Sequence, residues 1–138
     1  MSSLESALSE HGDILAEEYI SGREATCGVI DGFRGKEIYT LPPVEIIHLS
    51  TNDICPGNFS ISEKKEIERL SSLVHKTLGL RHYSNSDFIL SPRRGIYFLE
   101  VNSLPGMTEN SLIPKSLTAV GVSVREFLHH IISLALKR

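Results

Sequence analysis

Cysteine is scarce in this chain of 138 residues: only Cys27 and Cys55 are present. Two cysteines in a chain of this size make no disulfide framework, so a reducing cytoplasm is the expected compartment. Basic charge is also short, with 14 Lys and Arg against 17 Asp and Glu, a net charge of −3. Nucleic-acid binding needs a basic face to displace counterions, and this balance argues against it. No apolar run reaches membrane-spanning length, and the N-terminus lacks the basic-then-apolar order of a signal peptide. The six histidines offer no zinc spacing; His129 and His130 are adjacent and so fall on different faces of a helix. No internal repeat, no low-complexity segment and no Ser/His/Asp or Cys/His arrangement for nucleophilic catalysis is evident.

What is present is one domain's worth of alternating order. Ser2 and Glu5 form a capping box for a short helix ending near Gly12. Ile14 to Ile20 and Glu24 to Ile30 are rich in strand formers and are separated by the Ser21-Gly22 turn. Asp31-Gly32 opens another turn, and Lys36 to Leu49 reads as one or two strands bent at Pro42-Pro43. Ser60 and Glu63 cap a helix whose apolar residues Ile67, Leu70, Val74 and Leu78 recur every three or four positions, with Gly79 as its stop. Ser86 to Leu90 and Ile96 to Asn102 form a hairpin around Pro92-Arg93-Arg94-Gly95. Leu112 to Val120 is a short helix ended by Gly121, its start capped by Asn110 or Ser111. The last helix is capped by Ser123 and Glu126, with Val124, Phe127, Leu128, Ile131, Ile132 and Ala135 on one apolar face. Without sustained strand–helix–strand alternation, this order predicts an α+β domain: a mainly antiparallel sheet packed against helices.

The chemistry concentrates in the hairpin. Glu100 and Asn102 are two apart on one strand and share a side. A four-residue loop over Pro92 to Gly95 pairs Ser91 with Ile96 and, counting back, sets Asp87 opposite Glu100. Two opposed carboxylates repel, and a divalent cation relieves that repulsion. Mg²⁺ takes oxygen ligands, one or two protein carboxylates among them. On spacing alone a second reading stands beside this one, a solvated acidic face neutralised by nearby lysines or arginines. Past the hairpin, Gly106 lets backbone approach a ligand closely, and the following helix start offers N–H groups to a carboxylate. An ordinary Pro-Gly turn into a capped helix explains the same residues.

The run Phe98-Leu99-Glu100-Val101-Asn102-Ser103-Leu104-Pro105-Gly106-Met107-Thr108, followed by Ser111-Leu112-Ile113-Pro114, resembles the C-terminal signature of D-alanine–D-alanine ligases. Upstream, Glu17-Glu18-Tyr19-Ile20-Ser21-Gly22-Arg23-Glu24 resembles that family's adenine-binding hinge. The resemblance covers nearly the whole chain and implies the C-terminal subdomain of an ATP-grasp fold. It implies Asp87, Glu100 and Asn102 as Mg²⁺ ligands (Mn²⁺ being an alternative ion), and Glu17, Glu18, Tyr19, Ile20 and Glu24 as the ATP-binding group. In that group Glu18 and Ile20 offer backbone bonds to adenine, Tyr19 is an apolar neighbour of the base, and Glu24 accepts from the ribose hydroxyls. The Gly106 N–H becomes an oxyanion donor, and Ser111 with Leu112 the seat of the second substrate's carboxylate. The implied chemistry is ATP-driven joining of two small amino acids through an acyl phosphate, in peptidoglycan biosynthesis, with no protein nucleophile.

The chain departs from the family in three places. Where the family carries a catalytic arginine, two residues before the metal Asp, it has Asn85, an uncharged donor; Arg81, Arg93 or Arg94 are candidates to compensate, none of them at the matching place. The mobile loop over the active site, with its lysine and tyrosine, is shortened to Ser50–Gly57. The family's phosphate-binding lysines, glycine-rich loop and N-terminal substrate domain belong upstream of the hinge, so residues 1–138 read as a partial subdomain, truncated and inactive alone. The expected partners are ATP, small amino acids and the missing upstream half, with a homodimer considered. A non-catalytic nucleotide- or metal-binding domain, and a purely structural one, are the competing functions.

Overall fold

The computed structural model of the chain describes residues 3–47, 53–108 and 111–137. The elements run α1 (Ser3–His11), β1 (Arg23–Asp31), a 3-10 turn (Phe33–Gly35), β2 (Ile38–Thr40), β3 (Val44–Ile46), α2 (Ile61–Thr77), β4 (Tyr83–Ser91), β5 (Gly95–Asn102), α3 (Leu112–Ala119) and α4 (Val124–Leu136). The sheet is antiparallel throughout, in the order β2-β1-β4-β5, with β3 pairing the same edge of β1 as β2. β2 and β3 are one bent strand: Thr40 pairs Val29 and Val44 pairs Thr26, with Leu41 to Pro43 turning between them. The proline pair falls where a ladder N–H would otherwise be needed.

Each sheet face carries its own core. Ala25, Cys27, Phe88 and Leu90 alternate with outward residues and meet Ile67 of α2 and Phe59 on one face. Ile30, Phe33 and Leu41 meet Ile113 and Leu117 of α3 and Phe127 of α4 on the other. α3 lies very close to the sheet at Gly28, where an added Cβ would stand 2.6 Å from Ile113 Cδ1 and 2.8 Å from Leu41 Cδ1. Glycine there admits the helix, and with it the helix start, to the face that carries Asn85 and Asp87.

The α2 capping box forms in both directions: Glu63 N–H donates to Ser60 Oγ at 3.2 Å, and Ser60 N–H donates to the Glu63 carboxylate at 2.7 Å. Ser60→Ala should therefore cost about 1 kcal/mol, read as a lower denaturation midpoint at unchanged slope. At α4 only the Ser123 half forms, Glu126 N–H donating to its hydroxyl. The Ser2 cap of α1 and the Asn110 alternative at α3 lie outside the described residues; Ser111 is the α3 N-cap position, without a side-chain cap bond.

Four expectations fail. Ile14 to Ile20 is not a strand; Leu15 is 83% and Tyr19 88% exposed, and strand formers without a ladder beside them have no partner for their backbone groups. In α2 the buried stripe is Ile67, Ser71 and His75, while Leu78 is exposed. In α4 only Phe127 is fully buried, and Leu128 and Ile132 face out. A Ser/His/Asp chain does exist: His75 Nδ1 lies 2.7 Å from Ser84 Oγ, and Nε2 3.0 Å from Asp31 Oδ1. Ser84 is fully buried, out of reach of any substrate, so this chain ties α2 to β1 and β4 rather than doing chemistry.

Candidate metal and nucleotide site

Asp87 does lie opposite Glu100, but not by the expected route. The loop is one residue shorter, with Ser91 pairing Gly95 and Leu90 pairing Ile96. Gly95 takes φ +85°, the left-handed conformation that closes a three-residue hairpin loop. A β-bulge between the Phe88 and Asp87 pairs then inserts Leu99 and moves the register by one. The two departures cancel. The bulge also reverses the parity of the strand. Ile96 and Phe98 pair with Leu90 and Phe88, on the α2 face. Regular alternation would send Glu100 and Asn102 to that same apolar face; the extra residue turns them to the side of Asp87 and Asn85.

On that side Asn85 pairs Asn102, Asp87 pairs Glu100, and Thr26 of β1 flanks Asp87. The buried Asn85 amide donates to Thr26 Oγ1 and, at 3.2 Å, to Asp87 Oδ1. Thr26 has one hydroxyl proton for two acceptors, the Ser86 carbonyl at 3.4 Å and the adjoining Asp87 carboxylate. The charged acceptor makes the stronger bond. Asp87 is nonetheless pushed above the usual carboxylate range. Burial is the main cause and the charges of Glu100 and Glu24 add to it, against the Thr26 and Asn85 bonds.

Among the described residues, the ion pairs leave Asp87 and Glu100 without a lysine or arginine partner. The neutralised acidic face is therefore not what the structure holds. Nor, among the described residues, do three His, Cys, Asp or Glu side chains converge. The donor set is two opposed carboxylates and the Asn102 amide, whose Nδ2 lies 3.3 Å from Glu100 Oε1. Turning that amide over brings a third oxygen to the pair. Hard oxygens, two of them mutually repelling, fit a hard divalent ion that completes its shell with water and phosphate.

Asn85, Asp87 and Asn102 line a cleft of about 340 Å³ together with Gly106, Ser111 and Leu112. Of the expected metal residues, Asp87 and Asn102 thus share this cleft with the expected oxyanion and carboxylate residues, while Glu100 stands beside it as the strand partner of Asp87. Ser111 Oγ stands 2.8 Å from Thr108 Oγ1, and a Cβ on Gly106 would sit 3.0 Å from Ser111 Oγ. Glu24 is on β1, two residues before Thr26 on the same face. Glu17, Glu18, Tyr19 and Ile20 are apart from this group, beside the hairpin tip, where Arg94 holds Glu18 below the usual carboxylate range by hydrogen bond and charge. None of the substitute arginines reaches the Asn85 position through its strand. Arg93 and Arg94 lie past the far end of β4, and Arg81 precedes its start. Thr26 was not foreseen in the site; its only signal was a hydroxyl on a strand otherwise small and apolar.

The profile of the D-ala D-ala ligase C-terminus family matches residues 1–133, and the chain belongs to that family. The sheet with its four helices is the C-terminal ATP-grasp subdomain of such ligases. The curated D-alanine–D-alanine ligase of Maridesulfovibrio salexigens is 35% identical over 145 aligned positions, covering 98% of this chain and 47% of the relative. Among solved structures, the D-alanine–D-alanine ligase of Bacillus anthracis complexed with ATP has a TM-score of 0.75 at 33% identity, covering 88% of this chain and 39% of that one. The Coxiella burnetii D-alanine–D-alanine ligase has a TM-score of 0.79 at 28% identity, covering 88% and 34%. The chain spans less than half the length of these relatives.

Proposed function

We infer that this chain supplies the cation- and nucleotide-binding lobe of an ATP-dependent carboxylate–amine ligase of the D-alanine–D-alanine ligase type, working in the cytoplasm with an upstream half. The observation that carries this reading is the opposition of Asp87 and Glu100, with Asn102 two residues on, unneutralised by any described cation. Asp87, Glu100 and Asn102 would hold Mg²⁺ (or Mn²⁺), which supplies charge neutralisation at the phosphates. The Gly106 N–H donates to the oxygen that becomes negative when the amine attacks the acyl phosphate. The α3 start at Ser111 and Leu112 receives the second substrate's carboxylate. Glu17, Glu18, Tyr19 and Ile20 border the base, and Glu24 meets the ribose. Unpaired Cys27 and Cys55 fit a reducing compartment. Among the described residues no single helix is long and apolar enough to cross a membrane.

A Mg²⁺ titration followed by NMR tests the cation site. Shifts confined to the surroundings of Asp87, Glu100 and Asn102 are expected, and their absence at millimolar Mg²⁺ overturns the assignment. Alone, the chain is expected to fold and to release no phosphate from Mg-ATP with assorted amino acids. Turnover equal to that of an upstream-extended protein would contradict this. Exposed Leu73, Leu78, Phe98 and Leu99 support self-association of the isolated chain, which sedimentation would detect as a dimer.

One observation favours a second reading, a nucleotide- or metal-binding lobe without catalysis. Asn85 is buried and gives its amide protons to Thr26 and Asp87, leaving no charged donor from that position for the oxyanion. In the extended protein, Asn85→Arg is expected to raise phosphate release with two D-amino acids about tenfold, the effect of roughly 1.4 kcal/mol of transition-state stabilisation. An unchanged or lower rate favours the non-catalytic reading or a different substrate pair.

A further inference from the structure

Residues 13–22 belong to no helix or strand, yet the segment is fastened at two points to the hairpin tip. At one, Arg94 grips Glu18 with both prongs: Nη1 donates to Oε1 at 2.5 Å and Nη2 to Oε2 at 3.4 Å, across 76 residues of sequence. The same guanidinium lies over the Tyr97 ring, 5.1 Å from its centroid, so β5 braces it from beneath. At the other point, Gly22 presses against β4, where an added Cβ would stand 2.4 Å from the Leu90 carbonyl oxygen. Among the described residues, Glu18 makes the only side-chain hydrogen bonds from this segment to the rest of the chain. Between the two anchors, Tyr19, Ile20 and Ser21 face Ser91, Pro92 and Arg93 across a cleft of about 430 Å³.

We propose that Arg94 is a positioning residue: its grip on Glu18 sets the backbone direction of Tyr19 and Ile20 and couples the base-holding segment to the hairpin that carries Asp87 and Glu100. This rests on the nucleotide reading of the hinge given above. A planar fork fixes direction as well as distance, which a point charge does not. Asp87 lies four residues down β4 from Ser91, about 13 Å at strand rise, and the unbroken β1–β4 ladder, from the Arg23–Leu90 pair to the Thr26–Asp87 pair, joins the tip to the cation ligands. An exposed pair adds little to global stability. Its effect therefore falls on the order of the segment it holds, not on whether the chain folds.

Amide hydrogen exchange and ATP titration of the chain test this. Arg94→Ala and Glu18→Ala are each expected to speed exchange at residues 19–21 and to weaken ATP binding, both about two- to five-fold. Mn²⁺ binding without nucleotide and the melting temperature should hold. The charge-exchanged double variant E18R/R94E should restore both readouts, and Arg94→Lys should restore them only in part. Unchanged exchange in Arg94→Ala overturns the proposal. So does faster exchange with unchanged ATP affinity. A wild-type chain that takes up no ATP, but whose hinge amides still respond to the variants, overturns the nucleotide reading and leaves only the attachment.

Discussion

Asp87→Asn is expected to raise the melting temperature of the metal-free chain at neutral pH while abolishing its response to Mg²⁺. Asp87 faces Glu100 directly, and burial with the Glu100 and Glu24 charges holds its pKa above the ordinary carboxylate value. The folded state therefore keeps the Asp87 proton to higher pH than the unfolded state does. Stability contributed by Asp87 falls as pH rises through the interval between those two values, and stays low above it. Asparagine keeps the shape, and its one amide oxygen still accepts from Asn85, but it carries no charge to bury or repel. Relieving one opposed like-charge pair gives up to roughly 1 kcal/mol, or about 3 °C for a chain of this size. The gain should vanish in acid, where Asp87 is protonated in both states. Saturating Mg²⁺ should stabilise the wild type by mass action and leave the variant unmoved. Melting curves at several pH values, with and without Mg²⁺, decide it. A variant that melts lower at neutral pH, or still responds to Mg²⁺, refutes the opposed-carboxylate account.

His75→Ala carries the largest expected loss of stability. The ring is 1% exposed and bonds on both sides, to Ser84 and to Asp31. Asp31 uses its other oxygen to accept from His82 N–H, and its carbonyl accepts from His130 Nε2 at 2.6 Å. One residue thus gathers α2, β1, the start of β4 and α4. Removing the imidazole opens a cavity and leaves the buried Ser84 hydroxyl without its partner, together on the order of 3 kcal/mol, or roughly 10 °C. His129→Ala, at an exposed position on α4, should change melting by less than about 2 °C. Equal losses in the two variants would show that the buried network is not what joins these elements.

These two residues mark how far the sequence could be read. Local signals were legible wherever the physics was local. The Ser60–Glu63 box, the Pro42-Pro43 bend and the glycine stops at Gly12, Gly79 and Gly121 each act through a few neighbouring atoms. The meeting of Asp87 and Glu100 was legible through the hairpin, although the assumed loop and the missing bulge were two errors that offset. A bulge at Leu99 has no signature in Phe98-Leu99-Glu100; only the need to turn Phe98 to the α2 face and Glu100 to the side of Asp87 demands it. His75 was hidden for a different reason. Apolar periodicity looks for Leu and Val, whereas α2 buries Ser71 by bonding its hydroxyl to the Ile67 carbonyl at 2.8 Å, and His75 by pairing both nitrogens. Satisfied polar groups pack as core and leave no hydrophobic trace. Ile14 to Ile20 failed because strand propensity reports a fit to a sheet surface, and among the described residues no ladder lies beside it.

β5 is the outer strand of the sheet, eight residues long, with Phe98 and Leu99 nearly half exposed. A flat edge of that length and composition is a template on which another chain can add a strand and start a fibril. The irregularity at Leu99 breaks the spacing of the free N–H and C=O groups and twists the strand midway, so an incoming strand can match only half of it. The defect that turns Glu100 to the side of Asp87 is in this way also a guard against aggregation. Deleting Leu99 would straighten the strand, and the edge it uncovers should seed thioflavin-positive aggregates at concentrations where the intact chain stays clear.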